Sequence, residues 1–320
     1  MEGPTVARHL ICIDDLGDDD LRSIVARGAH FGEHGAGDAR PLAGAVVGVH
    51  FRKTSTRTRT AFSSGTLRLG GHLVAYGPDD LQTNTGETIA DTGRVFSRML
   101  DVLVARTAGD PLELRELAVG DMSVVNAMSA DEHPTQALAD LSTLTWHFGG
   151  VSGLRVLYVG EGNNTAVALV LALSRYERVR LELRTPHGHG VPKEVMDRAA
   201  DVAARNGGSV RQRHDMADLP PAMDVIYTTR WQTTGTVKVH EDWRDRFAPF
   251  QVDSSLWRHS PRAVFMHDLP AHRGEEVTAE VLDGPASIAF DQAAMKLASA
   301  MAVLEWCRVG CVSPLAGAVG

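Results

Sequence analysis

Short β-branched runs alternate with longer stretches of helically spaced apolar residues, and no other feature limits the possible fold of this chain so tightly. Four runs come first: GAVVGVHF at 44 to 51, HLVAY at 72 to 76, DVLVA at 101 to 105 and SVVNA at 123 to 127. After a break at FGGVSG, 148 to 153, a second series follows: LRVLYVG, VRLELR, SVRQR, MDVIYT and AVFMH, with helical stretches such as KEVMDRAADVAARNG between them. A parallel strand needs a long crossover to return to its sheet, and a helix is the usual one. The pattern therefore predicts an α/β chain of two doubly wound parallel-sheet domains, 1–148 and 149–290. A last helix from about Phe290 to Arg308, within a C-terminal segment 291–320, is expected to pack back on the first domain.

The 320 residues are 43% hydrophobic and 22% charged, which suffices for two packed cores. A net charge of -8 argues against a nucleic-acid or anionic-membrane partner, though a local basic pocket can still hold an anion. No apolar run approaches a membrane span, and MEGPTVARHLICIDDLGDDD has no basic region leading into an apolar stretch. A cytoplasmic protein is expected. Cys12, Cys307 and Cys311 are too few and too scattered for a disulfide framework or a zinc site, and are read as packing residues.

Phe51-Arg52-Lys53-Thr54-Ser55-Thr56-Arg57-Thr58-Arg59-Thr60 follows a predicted strand and opens a helix reaching about Gly70. Free N–H groups of a first turn, hydroxyls and two guanidinium groups together match phosphate oxygens. Taken alone, such a stretch is as well explained by a solvated cap followed by surface arginines. Asp131-Glu132-His133-Pro134-Thr135-Gln136 begins another helix at the same carboxyl edge of the sheet, where ligands of α/β folds collect. His133 and Gln136 are three apart and share a face. A third element, His267-Asp268-Leu269-Pro270, follows AVFMH in the second domain.

In order and spacing, S-T-R-T-R at 55 to 59, H-P-T-Q at 133 to 136 and H-x-L-P at 267 to 270 resemble the aspartate/ornithine carbamoyltransferase family. Arg106, Gly160-Glu161-Gly162-Asn163-Asn164 and Phe290-Asp291-Gln292-Ala293 also fall in register, so the resemblance covers nearly the whole chain. It implies an active site in the cleft between the two domains and transfer of a carbamoyl group from carbamoyl phosphate to an amine. Ser55, Thr56, Arg57, Thr58 and Arg59 would hold the phosphate, and Thr58, Arg106 and His133 would donate to the carbamoyl oxygen as an oxyanion hole. Gln136 and the main-chain carbonyl of Leu269 would hold the carbamoyl NH2. Gln82, on a loop that completes a neighbouring subunit's site in this family, and Lys296, where ornithine-type members carry arginine, would complete the carbamoyl phosphate set. A homotrimer, or a higher assembly of trimers with sites at subunit interfaces, is implied. No metal or cofactor is called for. The lysine that many members place just after Gln82 is absent, with Thr85-Gly86 in its place.

The acceptor side mixes two patterns. Asn164 matches the ornithine type, but the Asp-x-x-x-Ser-Met-Gly expected after Tyr227-Thr228 is replaced by Thr229-Arg230-Trp231-Gln232-Thr233-Thr234-Gly235. Arg230 and Gln232 match the aspartate type, whose second carboxylate-binding arginine is replaced here by Ala166. Asp268 replaces the cysteine of H-C-L-P, and either meets the acceptor or pairs with Lys296. Only four lysines occur among 32 Lys and Arg residues, which sets Lys296 apart from random exchange. Loss of the aspartate at 229 leads to the expectation that Asn164, Thr229, Arg230, Gln232, Thr233, Thr234, Asp268 and Leu269 bind an amino-acid-like acceptor that is not ornithine. An ordinary ornithine carbamoyltransferase and a catalytically silent homologue are the alternatives. A dinucleotide site at Gly160-x-Gly162 lacks the third glycine, and His267, Asp268 and His272 alone make a poor metal site.

Overall fold

The computed structural model describes residues 7–38, 40–233, 238 and 242–310. Two compact units emerge: the chain up to His147 together with the residues from Ala294 onward, and the segment from Phe148 to Ala293. The first boundary falls one residue from the expected one, and the last helix is divided three residues later than expected.

The first unit holds a parallel sheet in the order β2-β1-β3-β4, from β1 (Val46–Phe51), β2 (His72–Tyr76), β3 (Val102–Arg106) and β4 (Ser123–Asn126). Helices α1 (Asp18–His34), α2 (Arg57–Arg68), α3 (Ile89–Phe96), α4 (Leu112–Leu117) and α5 (Pro134–Phe148) alternate with these strands. β3 and β4 are buried along their whole length, as continuous apolar runs covered on both faces must be, whereas β2 is an edge strand with Val74 exposed. Ile11, Leu103, Leu114, Leu117, Met122 and Val124 form a cluster beneath α3 and α4. The register pairs Phe51 with Arg106, so β1 and β3 end side by side.

The second unit holds β5 (Arg155–Val159), β6 (Arg180–Arg184), β7 (Ser209–Arg213), β8 (Val225–Thr228) and β9 (Val264–His267) in the order β7-β6-β5-β8-β9, again all parallel. Its helices are α6 (Asn164–Leu173), α7 (Lys193–Arg205), α8 (Trp243–Phe247) and α9 (Ala279–Leu282). α6 is apolar all round after its first turn and buried from end to end, whereas α7 buries only Met196, Ala199 and Ala203 and shows its charges to water. Gly160 has φ +121, and a Cβ on Gly162 would lie 2.1 Å from the Val191 nitrogen. The positive φ thus accounts for Gly160, and close backbone packing for Gly162.

The last helix, α10 (Ala289–Val309), ties into the first unit through Arg27 on α1, whose Nε lies 2.6 Å from Glu305. Gly28 permits the approach: a Cβ there would lie 2.4 Å from the Ser142 hydroxyl of α5 and 3.4 Å from the Ser299 Cα of α10. Among the described residues no helix is long and apolar enough to cross a membrane.

Candidate active site

In the first unit, β1, β3 and β4 all deliver their carboxyl ends to one edge. α2 starts there with Thr56 as its N-cap, already in helical conformation and with no side-chain capping bond. First-turn N–H groups have no intrahelical partner, and here the helix start is flanked by the side chains of Ser55, Thr56, Arg57, Thr58 and Arg59, a donor set that favours an anion. Thr58 is buried, and the Arg106 guanidinium, nearly enclosed at the end of β3, donates to the Ser55 hydroxyl at 3.4 Å. Arg52 pairs with Glu113 at the same edge.

His133 arrives from the β4 side, on a turn the sequence does not advertise. The fully buried Asn126 side chain donates to the Ile11 carbonyl (2.8 Å) and the Ser129 hydroxyl (3.0 Å), and accepts from the Met128 N–H (2.9 Å). Glu132 is locked by the Ile13 N–H at 2.6 Å. His133 is then enclosed. Burial lowers its pKa well below the usual histidine range, and the charges of Lys296 and Arg106 push it the same way. A neutral ring has one donor nitrogen. The Thr135 hydroxyl lies 3.3 Å from Nδ1, and when it donates there the proton resides on Nε2.

Gln136 has a similar asymmetry. Its Nε2 donates to Asp140 at 2.7 Å, while its buried Oε1 has no hydrogen-bond partner among the described residues. That oxygen is poised to accept from an NH2 group. Thr58, His133, Thr135, Gln136, Lys296 and Ser299 line one cavity, so the start of α2, the start of α5 and α10 converge within the first domain. Gln82 is not among its lining residues. It sits exposed on a short 3-10 turn, Gln82–Thr85, with its Oε1 taking the Thr85 hydroxyl at 2.9 Å.

In the second unit the expected acceptor residues gather at the carboxyl edge of β5, β8 and β9. α6 begins at Asn164, but its cap is Asn163, whose Oδ1 accepts from the N–H groups of Thr165 (3.0 Å) and Ala166 (3.2 Å). Asn163 Nδ2 also donates to Thr233 at 3.1 Å. Asn164 and Thr229 are buried, Arg230 is half-buried with its Nε unpartnered among the described residues, and Thr234 lies outside them. Trp231 packs with Trp243 and Phe247. Lys238 lies over the Phe247 ring and pairs with Glu161 at 2.6 Å; burial nevertheless raises the Glu161 pKa, the lysine opposing it.

Asp268 takes hydrogen bonds within its own domain from Thr229 (2.9 Å) and Thr165 (3.1 Å). Its neighbour His267 is fully buried and uses both ring nitrogens: Nδ1 accepts the Leu269 N–H at 2.8 Å, so Nε2 carries the proton that Glu276 receives at 3.2 Å. Leu269 stands at φ +52 before a cis proline, held by that bond. Asn126, Asn163, Thr165 and Glu276 were not singled out by sequence. For Asn163 a signal existed, because Asn-Asn-Thr between a strand and a helix offers two candidate caps.

An uncapped helix N-terminus, flanking guanidinium groups and an enclosed neutral imidazole define an anion-binding parallel α/β domain, joined in sequence to a second domain with its own polar edge. Comparison with known proteins gives the class its name. Residues 8–145 match the family described as aspartate/ornithine carbamoyltransferase, carbamoyl-P binding domain, and residues 152–307 match its Asp/Orn binding domain. The chain belongs to the aspartate/ornithine carbamoyltransferase family and is an enzyme of the carbamoyltransferase class. It is 39% identical over 301 residues to ornithine carbamoyltransferase of Thermococcus kodakarensis, covering 93% of this chain and 95% of that one. The ornithine carbamoyltransferase structure from Pyrococcus furiosus superposes with a TM-score of 0.87 at 37% identity, over 98% of this chain and 100% of that one. The catalytic subunit of M. jannaschii aspartate transcarbamoylase gives a TM-score of 0.79 at 26% identity, over 94% of this chain and 97% of that one.

Proposed function

We propose that this enzyme transfers the carbamoyl group of carbamoyl phosphate to the amine of an amino acid and releases phosphate. The observation that carries the proposal is the shared cavity of Thr58, His133, Gln136 and Lys296 beside the uncapped start of α2. Arg57, Arg59 and the hydroxyls of Ser55 and Thr56 hold the phosphate, while Thr58, Arg106 and the Nε2–H of His133 donate to the carbamoyl oxygen. Gln136 Oε1 takes the carbamoyl NH2. A neutral amine adds to the carbonyl carbon, the donors stabilise the oxyanion that forms, and the C–O bond to phosphate breaks as the phosphate leaves with the proton given up by the amine. Lys296 adds positive charge to that cavity. A homotrimer is what the family resemblance implies, and the exposed apolar residues Leu67, Val95 and Met99 of the first domain are available to a subunit contact.

For the acceptor, the relatives favour ornithine over the non-ornithine expectation raised by sequence, since several at 37–39% identity bear that name. The premise of that expectation also weakens. The aspartate missing at 229 left no evident carboxylate for an α-ammonium, yet the Asp268 carboxylate lies against the Thr229 hydroxyl. A second reading retains an acceptor other than ornithine, with Arg230, whose buried Nε lacks a partner among the described residues, receiving an anionic group. The test is phosphate release from carbamoyl phosphate with ornithine, aspartate, putrescine and other amines as acceptors. Release dependent on an amine, with a ureido product, is expected; none with any amine would leave a silent homologue.

A further inference from the structure

We propose that Asp268 is a specificity-determining residue, the carboxylate that pairs with an ammonium group the acceptor carries in addition to its attacking amine. The proposal rests on the carbamoyl-transfer reading above. β8 and β9 are neighbouring parallel strands in which Thr228 pairs with His267, so Thr229 and Asp268 are the next residues past the two strand ends. Thr229 donates to Asp268 Oδ1 at 2.9 Å, and Thr165, in the first turn of α6, donates to Oδ2 at 3.1 Å. Both threonines are almost fully buried, which fixes the plane of the carboxylate. His267 Nδ1 lies 3.5 Å from Oδ1 but already accepts the Leu269 N–H, so it brings no proton to Asp268.

The Asp268 side chain is only 15% exposed, and among the described residues of its domain no lysine or arginine pairs with it. A carboxylate offers about four acceptor positions, of which the two hydroxyls use two. An anion withdrawn from water and held by neutral donors gains most from a cation supplied by the ligand. The attacking amine does not fit that part. It must be neutral to add to a carbonyl, and a carboxylate beside it favours the protonated form, lowering the reactive fraction. A second amine that stays protonated throughout has no such conflict. An acceptor with a single amine would leave Asp268 unpaired.

The test uses three diamino acids, each beside its analogue lacking the α-amine: ornithine with 5-aminovalerate, 2,4-diaminobutyrate with 4-aminobutyrate, and 2,3-diaminopropionate with β-alanine. In the unmodified enzyme the best diamino acid should exceed its analogue in kcat/KM by at least about thirtyfold, and Asp268→Asn should narrow that ratio by a similar factor. An unmodified enzyme that treats the members of each pair alike overturns the proposal without any variant being needed. So does an Asp268→Asn enzyme that slows both members equally, which would assign the carboxylate to the attacking amine or to the fold. Turnover of single-amine acceptors alone overturns it while sparing carbamoyl transfer, whereas no amine-dependent turnover at all removes the underlying reading.

Discussion

His133 illustrates how burial sets the chemistry of one residue. An exposed imidazole near neutral pH is a mixture of two charge states, but this ring is enclosed beside Arg106 and Lys296 and stays neutral. Its bond to a carbamoyl oxygen would strengthen as negative charge develops, so His133→Ala should lower kcat by about 100- to 1,000-fold while weakening carbamoyl phosphate binding far less. Steady-state kinetics beside calorimetric titration would check this, and equal losses would make His133 a positioning group. Because its pKa lies well below the usual value, the kcat profile should carry no step from this ring between about pH 6 and about pH 8. Arg57 is the complementary case, a half-buried side chain whose proposed role is to hold the phosphate. Arg57→Ala should abolish measurable carbamoyl phosphate binding in calorimetry with little change in the unfolding midpoint. The same burial logic applies to thiols. Cys12 is pushed up to about 11 by burial and the neighbouring Asp15, and Cys307 to about 12 by burial, which fits their reading as packing residues.

Among the elements, the turn between β4 and α5 matters most, because H-P-T-Q becomes a site only when Ala127 to Glu132 hold one shape. Asn126 supplies that shape with bonds to Ile11, Ser129 and Met128, all fully or almost fully buried. Asn126→Ala leaves those groups unsatisfied and should cost about 3 kcal/mol in chemical denaturation, together with a loss of turnover exceeding that of binding. A change below about 0.5 kcal/mol would mean that water replaces the amide. On the other domain, Glu276 fixes the proton of His267 and so leaves Nδ1 for the Leu269 N–H. H-x-L-P was legible as a motif. Its histidine was not legible as a clamp on the following backbone, because the partner lies nine residues away across a loop with no periodic signal.

At the scale of the whole molecule, stability should fall on acidification through buried histidines. Burial, with the Arg52 charge adding to it, lowers the His50 pKa from 6.5 to about 4, so the unfolded chain binds this proton more readily than the folded one. The contribution is therefore complete above about pH 6.5 and is lost progressively as pH falls through about 4, with His133 acting in the same direction. Denaturation midpoints across that window, compared with His50→Gln, should show a shallower slope in the variant. The proposed trimer predicts sedimentation at three times the chain mass, and a monomer at micromolar concentration would refute it. The strand count of each series and the candidate phosphate segment could be read from the linear chain, because alternating apolar runs and a Ser/Thr/Arg-rich helix start are local signals, whereas the strand order in each sheet could not. Which asparagine caps α6, how the Gln136 amide is oriented and where the Asp268 carboxylate points could not. Those follow from groups brought together by strand register, such as Thr229 beside Asp268, and from burial that removes water as the competing partner. Residue types and their order determined the family and marked a candidate anion site; only tertiary packing, by register and by the exclusion of water, decided which polar groups meet one another within each domain.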